Sequence, residues 1–328
     1  MEAIDYSVTI RTLGRAGDKY LRTLKSISCQ TIKPKEIIIV LPEGYDLPQE
    51  RLGNETYVFS SKGMVSQRLV GFDICSSPLI LALDDDVEFD VDFVERMYET
   101  MLSAKSQFVI PVTLESSSSS VRRRVIDWLM GVSIQKPIDE DYLLKIWRTG
   151  GFIVNSRVFE GVQYFSQSGH GTCIFGFTSA IKAMHFEDEL WLQDTVYALP
   201  DDQVFFYKLY LTGNRIAVNR DVRFVHLDAS TTLKNSDKTL KIIYASARNG
   251  IIFWHRFICS CRSKKWLSIL CIIRRVLFTT FFALIKGLIS WNFAKVKTYI
   301  RAYYDGLRYL RSEKYRRLSQ ISDMRQAK

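Results

Sequence analysis

Apolar positions along the first 110 residues follow two periodicities in turn. Tyr6–Ile10 (YSVTI) is a short β-branched run and predicts a strand. Lys19–Ile27 (KYLRTLKSI) places apolar side chains at helical spacing. After Pro34, Glu36–Leu41 (EIIIVL) is nearly all apolar, the pattern of a strand buried on both faces of a parallel sheet. Tyr57–Ser60 predicts a further short strand, Gly63–Ile74 (GMVSQRLVGFDI) a helix, and Leu79–Leu83 (LILAL) another buried strand. Val91–Lys105 follows as a helix and Phe108–Val112 as a strand. Strand and helix alternating at this pace predict βαβ units and a parallel sheet.

Beyond residue 112 the pattern loosens. Glu115–Arg124 (ESSSSSVRRR) reads as a mobile polar loop. Phe175–Met184 predicts a strand running into a helix, and Asp202–Thr212 (DQVFFYKLYLT) an amphipathic helix stopped by Gly213. Val222–His226 (VRFVH) predicts a strand. From Trp266 to Trp291 the chain is apolar except for Arg274, Arg275 and Lys286. That length could span a bilayer. Its 14 Leu, Ile, Val or Phe residues are opposed by two arginines near the centre, so spanning is not favoured. Lys264, Arg275, Lys286, Lys297 and Arg308 recur every eleven residues, close to three helical turns. On one continuous helix they would line a slowly drifting stripe, with Phe281, Phe282, Trp291 and Phe293 on the remaining surface. This is the pattern of a helix lying in a membrane interface with its cations toward anionic headgroups. The alternative is a helical layer packed on the body of the protein.

Charge sharpens that division. Lys plus Arg number 45 against 35 Asp plus Glu, a formal +10 over 328 residues. From Gly250 onward there are 17 Lys/Arg and 3 Asp/Glu, whereas the first 249 residues carry 28 and 32. A mildly acidic body with a basic tail argues against nucleic acid as a partner and makes the tail the charged contact surface. The N-terminal MEAIDYSVTIRTLGR has no basic stretch followed by an apolar one, so no secretory signal is expected. Cys29, Cys75, Cys173, Cys259, Cys261 and Cys271 form no CxxC pair, and reduced thiols in a cytosolic protein are expected.

Three groups of residues carry candidate chemistry. LILALDDDVEFD sets Asp84, Asp85 and Asp86 where an apolar strand ends, the place where open α/β sheets collect ligands. Adjacent carboxylates are tolerable when solvated or when a cation neutralises them, and oxygen-rich sites suit Mg²⁺ or Mn²⁺. A solvated turn capping the next helix is the plain alternative. Asp201 and Asp202 follow Pro200 at a helix start, where acidic residues are favoured by the helix dipole alone. His226 ends a strand, a position that a structural histidine also fills. A further acidic cluster, Glu187, Asp188 and Glu189, lies beside Trp191; it could supply the base or line an acceptor site, or be a solvated loop. Trp191 and Tyr197 are candidate stacking platforms for a ligand or ordinary packing. His170, in SQSGHG, has no assigned role.

In their order these segments resemble the family 2 glycosyltransferases of the GT-A fold, from about Tyr6 to Asp228. YSVTIRTLGR is similar to the family's opening strand and loop, and LRTLKSISCQTIKPKEIIIV to its first helix and second strand. GMVSQRLVGFDICSSPLILALDDDVEF is similar to the Arg-bearing helix that leads into the Asp-x-Asp motif. DDQVFFYKLYLTGNRIAVNRDVRFVH matches the acidic pair, helix, glycine and trailing histidine in register. The resemblance implies that Arg11, Thr12, Arg68, Asp84 and Asp85 serve the nucleotide donor, and that Asp86 and His226 ligate a divalent cation. It implies Asp202 as catalytic base with Asp201 as its neighbour; Asp201, Trp191 and Glu189 are the candidate acceptor-site residues. Leu41-Pro42-Glu43-Gly44 departs from the family, which usually has an aspartate there, so Glu43 would substitute. Two further departures are Arg11 before Thr12, where a proline is more frequent, and Leu69, where an asparagine is common.

The expected fold is α/β, GT-A-like, with a mixed, mainly parallel sheet flanked by helices and a C-terminal amphipathic, membrane-associating helical segment. The expected division is a nucleotide-sugar half (1–110), an acceptor half (111–230) and the basic tail (231–328). The expected reaction is inverting and metal-dependent. It moves a sugar from a nucleotide donor, first a UDP-sugar, to a hydroxyl of a glycan or polyprenyl-linked acceptor in cell-surface polysaccharide synthesis, at the cytoplasmic face of a membrane. Two rivals are a sugar-phosphate nucleotidyltransferase, for which TLGRAGDK is a poor phosphate loop, and a non-catalytic scaffold.

Overall fold

The computed structural model describes residues 4–112, 120–138, 141–157, 163–227 and 236–321. The chain forms two compact units, each assembled from separated stretches: residues 1–115, 159–190 and 214–233 in the first, and 116–158, 191–213 and 234–328 in the second. In chain order the strands are β1 (Tyr6–Arg11), β2 (Glu36–Pro42), β3 (Glu55–Ser60), β4 (Leu79–Asp84), β5 (Val87–Phe89), β6 (Phe108–Pro111), β7 (Ser133–Lys136), β8 (Tyr142–Ile146), β9 (Phe152–Asn155), β10 (Gln163–Ser166), β11 (Cys173–Phe177), β12 (Ile216–Asn219) and β13 (Phe224–His226).

The apolar runs of the first unit become the centre of a sheet ordered β3-β2-β1-β4-β11-β6-β12-β10. Strands β3, β2, β1 and β4 are mutually parallel, β12 is parallel to β6, and β11 and β10 run antiparallel to their neighbours. This is the mixed, mainly parallel α/β architecture expected. The helix Asp18–Ser28 buries Tyr20, Leu24 and Ile27, spaced four and three apart, against the core of Tyr6, Val8, Ile10, Ile39 and Leu83. The helix Met64–Ile74 approaches β1 so closely that a Cβ on Gly71 would lie 2.2 Å from Thr9 Oγ1. The predicted Val91–Lys105 helix is shorter, Phe93–Ser103, because β5 and a turn take up the residues before it. Strand β11 runs directly into the helix Thr178–Ala183, as expected.

In the second unit β9 pairs parallel with β7 and antiparallel with β8, and the rest is a helical layer. Its helices are Val121–Leu129, Asp201–Leu211, Ser236–Phe253 with a π-helical continuation to Cys259, Lys265–Ser290, Ala294–Leu310 and the short Glu313–Arg316. Residues 115–119 of the predicted polar loop lie outside the described residues. Its end is helical instead: Ser120 Oγ caps the helix by accepting from Arg123 N at 3.3 Å. The helix at Asp201 is buried on nearly every face, Phe205, Phe206, Lys208 and Leu209 included, so it is not amphipathic.

The basic stripe expected along the tail does not form. Trp291 adopts a left-handed conformation and ends the helix that carries Arg275 and Lys286; Lys297 and Arg308 belong to the next one. Arg275 turns inward and donates from Nη1 to Thr149 O at 2.9 Å. Arg274 lies between the rings of Trp128 and Trp147, 4.9 and 4.7 Å from their centroids. Lys265–Ser290 is long and apolar enough to cross a membrane.

Candidate active site

Strand order 3-2-1-4 reverses direction between β1 and β4, so the crevice for ligands opens beyond their carboxyl ends. The parallel register sets Arg11 beside Asp84. Arg11 Nε donates to Asp84 Oδ1 at 2.8 Å, with both side chains mostly buried. The next residue on each strand repeats the contact: Thr12 Oγ1 donates to Asp85. Gly14 N in turn donates to Thr12 Oγ1 at 2.9 Å, which fixes the loop after β1. Burial pushes the Asp85 carboxyl up to about 6; Thr12 opposes this, and Asp84 and Asp86 add to it.

Asp84 ends β4, and Asp85 and Asp86 form the turn into β5; none is at a helix start, which removes the capping alternative. Strand β5 pairs antiparallel with β13, His226 opposite Val87. Leu227 N closes the ribbon by donating to Asp86 O at 2.8 Å. His226 Nε2 thereby comes 3.1 Å from Asp86 Oδ1. Asp84, Asp86 and His226 each offer a ligand atom, all within 4.8 Å of one another. Two carboxylate oxygens and one imidazole nitrogen suit Mn²⁺, and Mg²⁺ is served by the carboxylates, so the residues present fit a divalent cation. Asp84, expected only at the donor, is thus brought into the candidate metal group.

Glu88 on β5 staples this ribbon. It accepts from Arg22 Nε at 2.7 Å and from Arg223 Nη2 at 2.9 Å. Thr23 holds the same strand through Val87, donating to its carbonyl at 2.8 Å and accepting from its N–H at 2.9 Å.

Other expected donor residues gather near the end of β1. Arg68 is buried, donates from Nη2 to Gly171 O at 3.4 Å, and shares the lining of a small cavity with Arg11. Gln67, which sequence reasoning missed, donates from Nε2 to Thr12 O at 3.0 Å and Val40 O at 2.9 Å, tying the ends of β1 and β2 together. Its only signal is adjacency to Arg68. Glu43 is exposed just past β2, its N–H donating to Ser60 O at 2.8 Å. Beside it a cavity of about 510 Å³ is lined by Gly14, Arg15, Gly44 and Tyr45. Arg15 and Lys62 both stand over the Tyr45 ring, at 5.3 and 5.0 Å. Sequence reasoning missed this cluster too.

The profile of glycosyl transferase family 2 matches residues 7–188, more than half of the chain. The chain belongs to that family. A family 2 glycosyltransferase transfers sugars from nucleotide donors, and the chain is such an enzyme. The fold agrees with solved glycosyltransferases. Residues 1–349 of TarS from S. aureus superpose with a TM-score of 0.53 at 13% identity, covering 94% of this chain and 81% of that one. The same protein in complex with UDP-GlcNAc gives 0.50 at 14% identity, covering 93% and 81%. GalNAc-T7 with UDP, GalNAc and Mn²⁺ gives 0.50 at 13% identity, covering 80% of this chain and 49% of that one. At such identities the likeness concerns the fold. No curated protein sequence matches significantly.

The remaining expected residues of this family 2 glycosyltransferase divide by unit. Glu189, in the first unit, is fully buried. Trp191, in the second, is only 3% exposed and packs rather than offering a free ring face. Its carbonyl accepts from Arg248 Nη1 at 3.3 Å. Asp201 and Asp202 form the first turn of their helix in the second unit, Asp201 buried and Asp202 half-buried. Pro200 holds the N-cap position, so neither aspartate is the cap. The next residue, Gln203, donates from Nε2 to Gly150 O at 2.8 Å and anchors that turn.

Proposed function

We propose that this glycosyltransferase transfers a sugar, with inversion, from a UDP-sugar to a hydroxyl of a glycan or polyprenyl-linked acceptor. The observation that carries this reading is the Asp84, Asp86 and His226 group at the sheet's switch point. UDP-GlcNAc in the TarS complex, and UDP with Mn²⁺ in GalNAc-T7, support a uridine nucleotide and a divalent cation as the first to test.

Asp84, Asp86 and His226 would hold the cation, which when bound stabilises the negative charge of the departing diphosphate. Arg11 keeps the Asp84 carboxylate turned toward that group, and Thr12 orients Asp85. Arg68 and Glu43 are assigned to the nucleoside. By resemblance, Asp202 accepts the proton of the acceptor hydroxyl as its oxygen attacks the anomeric carbon. The bond from that carbon to the diphosphate breaks, its electron pair leaves with the phosphate, and a single displacement inverts the centre. Asp201, at the helix start beside it, is assigned to the acceptor.

The basic, partly apolar tail supports a peripheral position at the cytoplasmic face of a membrane, and with it a role in cell-surface polysaccharide synthesis. The outward face of Lys265–Ser290 exposes Trp266, Leu270, Ile273, Leu277, Phe281, Leu284, Leu288 and Trp291, spaced three and four apart. Exposed Lys264, Lys265, Lys295 and Lys297 flank it.

The test is transfer from UDP-sugars to a lipid-linked glycan, with the product anomer read by NMR. Asp202→Asn should lower turnover at least a hundredfold while leaving UDP binding within twofold. Retention at the anomeric carbon, or full activity of Asp202→Asn, would overturn the mechanism.

A further inference from the structure

A partly open cavity of about 270 Å³ lies in the helical unit. It is close to the lower end of ligand pockets, about 300 Å³. Met130, Ile243, Ile251 and Ile272 give it apolar walls, and Arg275, Tyr299 and Tyr303 supply polar groups. The Tyr303 hydroxyl is already engaged with Thr279 Oγ1 at 2.6 Å. Arg275 is different. Its bond to Thr149 O engages one of five guanidinium N–H donors. Among the described residues no carboxylate stands within ion-pair distance of it, and the groups facing its charge are the two tyrosines.

An inward-turned cation without a counter-charge is costly, and such groups are ordinarily paired. Arg274, one residue earlier, shows how the same unit disposes of a charge it does not expose: two indole rings cover it. Among the described residues no ring covers Arg275 in this way, and it borders an apolar space. A ligand that completes this arrangement has an anionic head for the guanidinium fork and an apolar chain for the walls.

We propose that this cavity binds a single-chain anionic amphiphile, with its phosphate or carboxylate head on Arg275 and its chain among Met130, Ile243, Ile251 and Ile272. Binding is a property of the helical unit and does not rest on the transfer reaction.

The experiment is calorimetric titration of the full chain with monododecyl phosphate below its micelle concentration, beside dodecanol and inorganic phosphate. Saturable binding of monododecyl phosphate is expected, at least tenfold tighter than either control. Arg275→Gln should weaken it at least tenfold, and Ser246→Leu, which adds bulk to the cavity lining, should weaken it for steric reasons alone. Displacement of bound probe by phosphatidylglycerol vesicles but not phosphatidylcholine vesicles identifies a bilayer lipid as the source. Resistance to both identifies a soluble amphiphile. Equal affinity for dodecanol, equal affinity for inorganic phosphate, or unchanged affinity in Ser246→Leu would each overturn the proposal. The controls and Ser246→Leu decide the matter even where Arg275→Gln fails to fold.

Discussion

Replacing Asp86 by asparagine should stabilise the metal-free protein and abolish its response to divalent cations. Asp84, Asp86 and His226 present ligand atoms within 4.8 Å of one another. Two carboxylates at that distance repel by ~3 kcal/mol at an effective dielectric of ~20. Arg11 on Asp84 offsets part of this, and the amide introduced by Asp86→Asn can still bond to His226. The net relief, about 1–2 kcal/mol, raises Tm by about 2–8 °C for a compact unit of this size. In the wild type, a cation at about 100 times its Kd adds about 2.7 kcal/mol, or about 5–11 °C. The two proteins should therefore exchange order. The Asp86→Asn variant melts higher in EDTA, and the wild type melts higher in saturating Mn²⁺. Thermal melts in EDTA and across a Mn²⁺ titration measure both arms. A drop of several degrees for Asp86→Asn in EDTA would refute the reasoning, because the carboxylate would then be a structural acceptor for His226 and not a group held in readiness for a cation.

Glu88 offers a pH-dependent test of the ribbon that positions His226. Arg223 and then Arg22 hold its carboxyl below the ordinary carboxylate range. Its stabilisation is therefore complete at neutral pH and lost as pH falls through that lowered value. The arginines are half exposed, so Glu88→Gln should cost under about 1 kcal/mol at pH 7. Urea midpoints of the two proteins should draw together as pH falls below the ordinary carboxylate range, and a gap that does not narrow on acidification would contradict the ion-pair origin. For the membrane reading, the double substitution Leu277→Asp and Phe281→Asp should cut co-sedimentation with phosphatidylglycerol vesicles at least tenfold, with UDP and Mn²⁺ binding intact. Unchanged sedimentation would remove the outward apolar face as the contact.

What the sequence made legible are the features with a local physical cause. Strands buried on both faces must be apolar throughout, so EIIIVL and LILAL announce the parallel centre of the sheet. Carboxylates at a strand end announce the crevice. What it hid depends on pairing between remote segments. Val87–Phe89 is too short to register as a strand alone, and it exists because residues 224–226 pair with it. That pairing, not the type of residue, brings His226 to Asp86. Gln67 and Tyr45 are invisible for the same reason: their partners come from other loops and strands. The burial of Trp191 and Glu189 stayed hidden because composition does not report it. An acidic cluster beside a tryptophan reads alike whether it lines a cleft or the interior. Interleaving of the two units across the chain likewise has no local signature.

The tail shows how far periodicity alone reaches. Eleven-residue spacing of cations specifies a stripe only on an uninterrupted helix, and the left-handed Trp291 ends the helix before the fourth cation. Once broken, the segment sorts its charges individually. Arg274 is covered by indoles and Arg275 faces a cavity, whereas Lys264, Lys265 and Lys286 stay exposed. With both arginines turned inward, the exposed apolar stripe of Trp266, Leu270, Ile273, Leu277, Phe281, Leu284, Leu288 and Trp291 contains no charge, and Lys286 is the one exposed cation within that stretch. The insertion balance computed from composition counted those arginines against burial in lipid, but neither lies on the face that would meet it. The case for membrane contact therefore rests on an apolar stripe with cations at its ends, and the inward arginine becomes available for a different task.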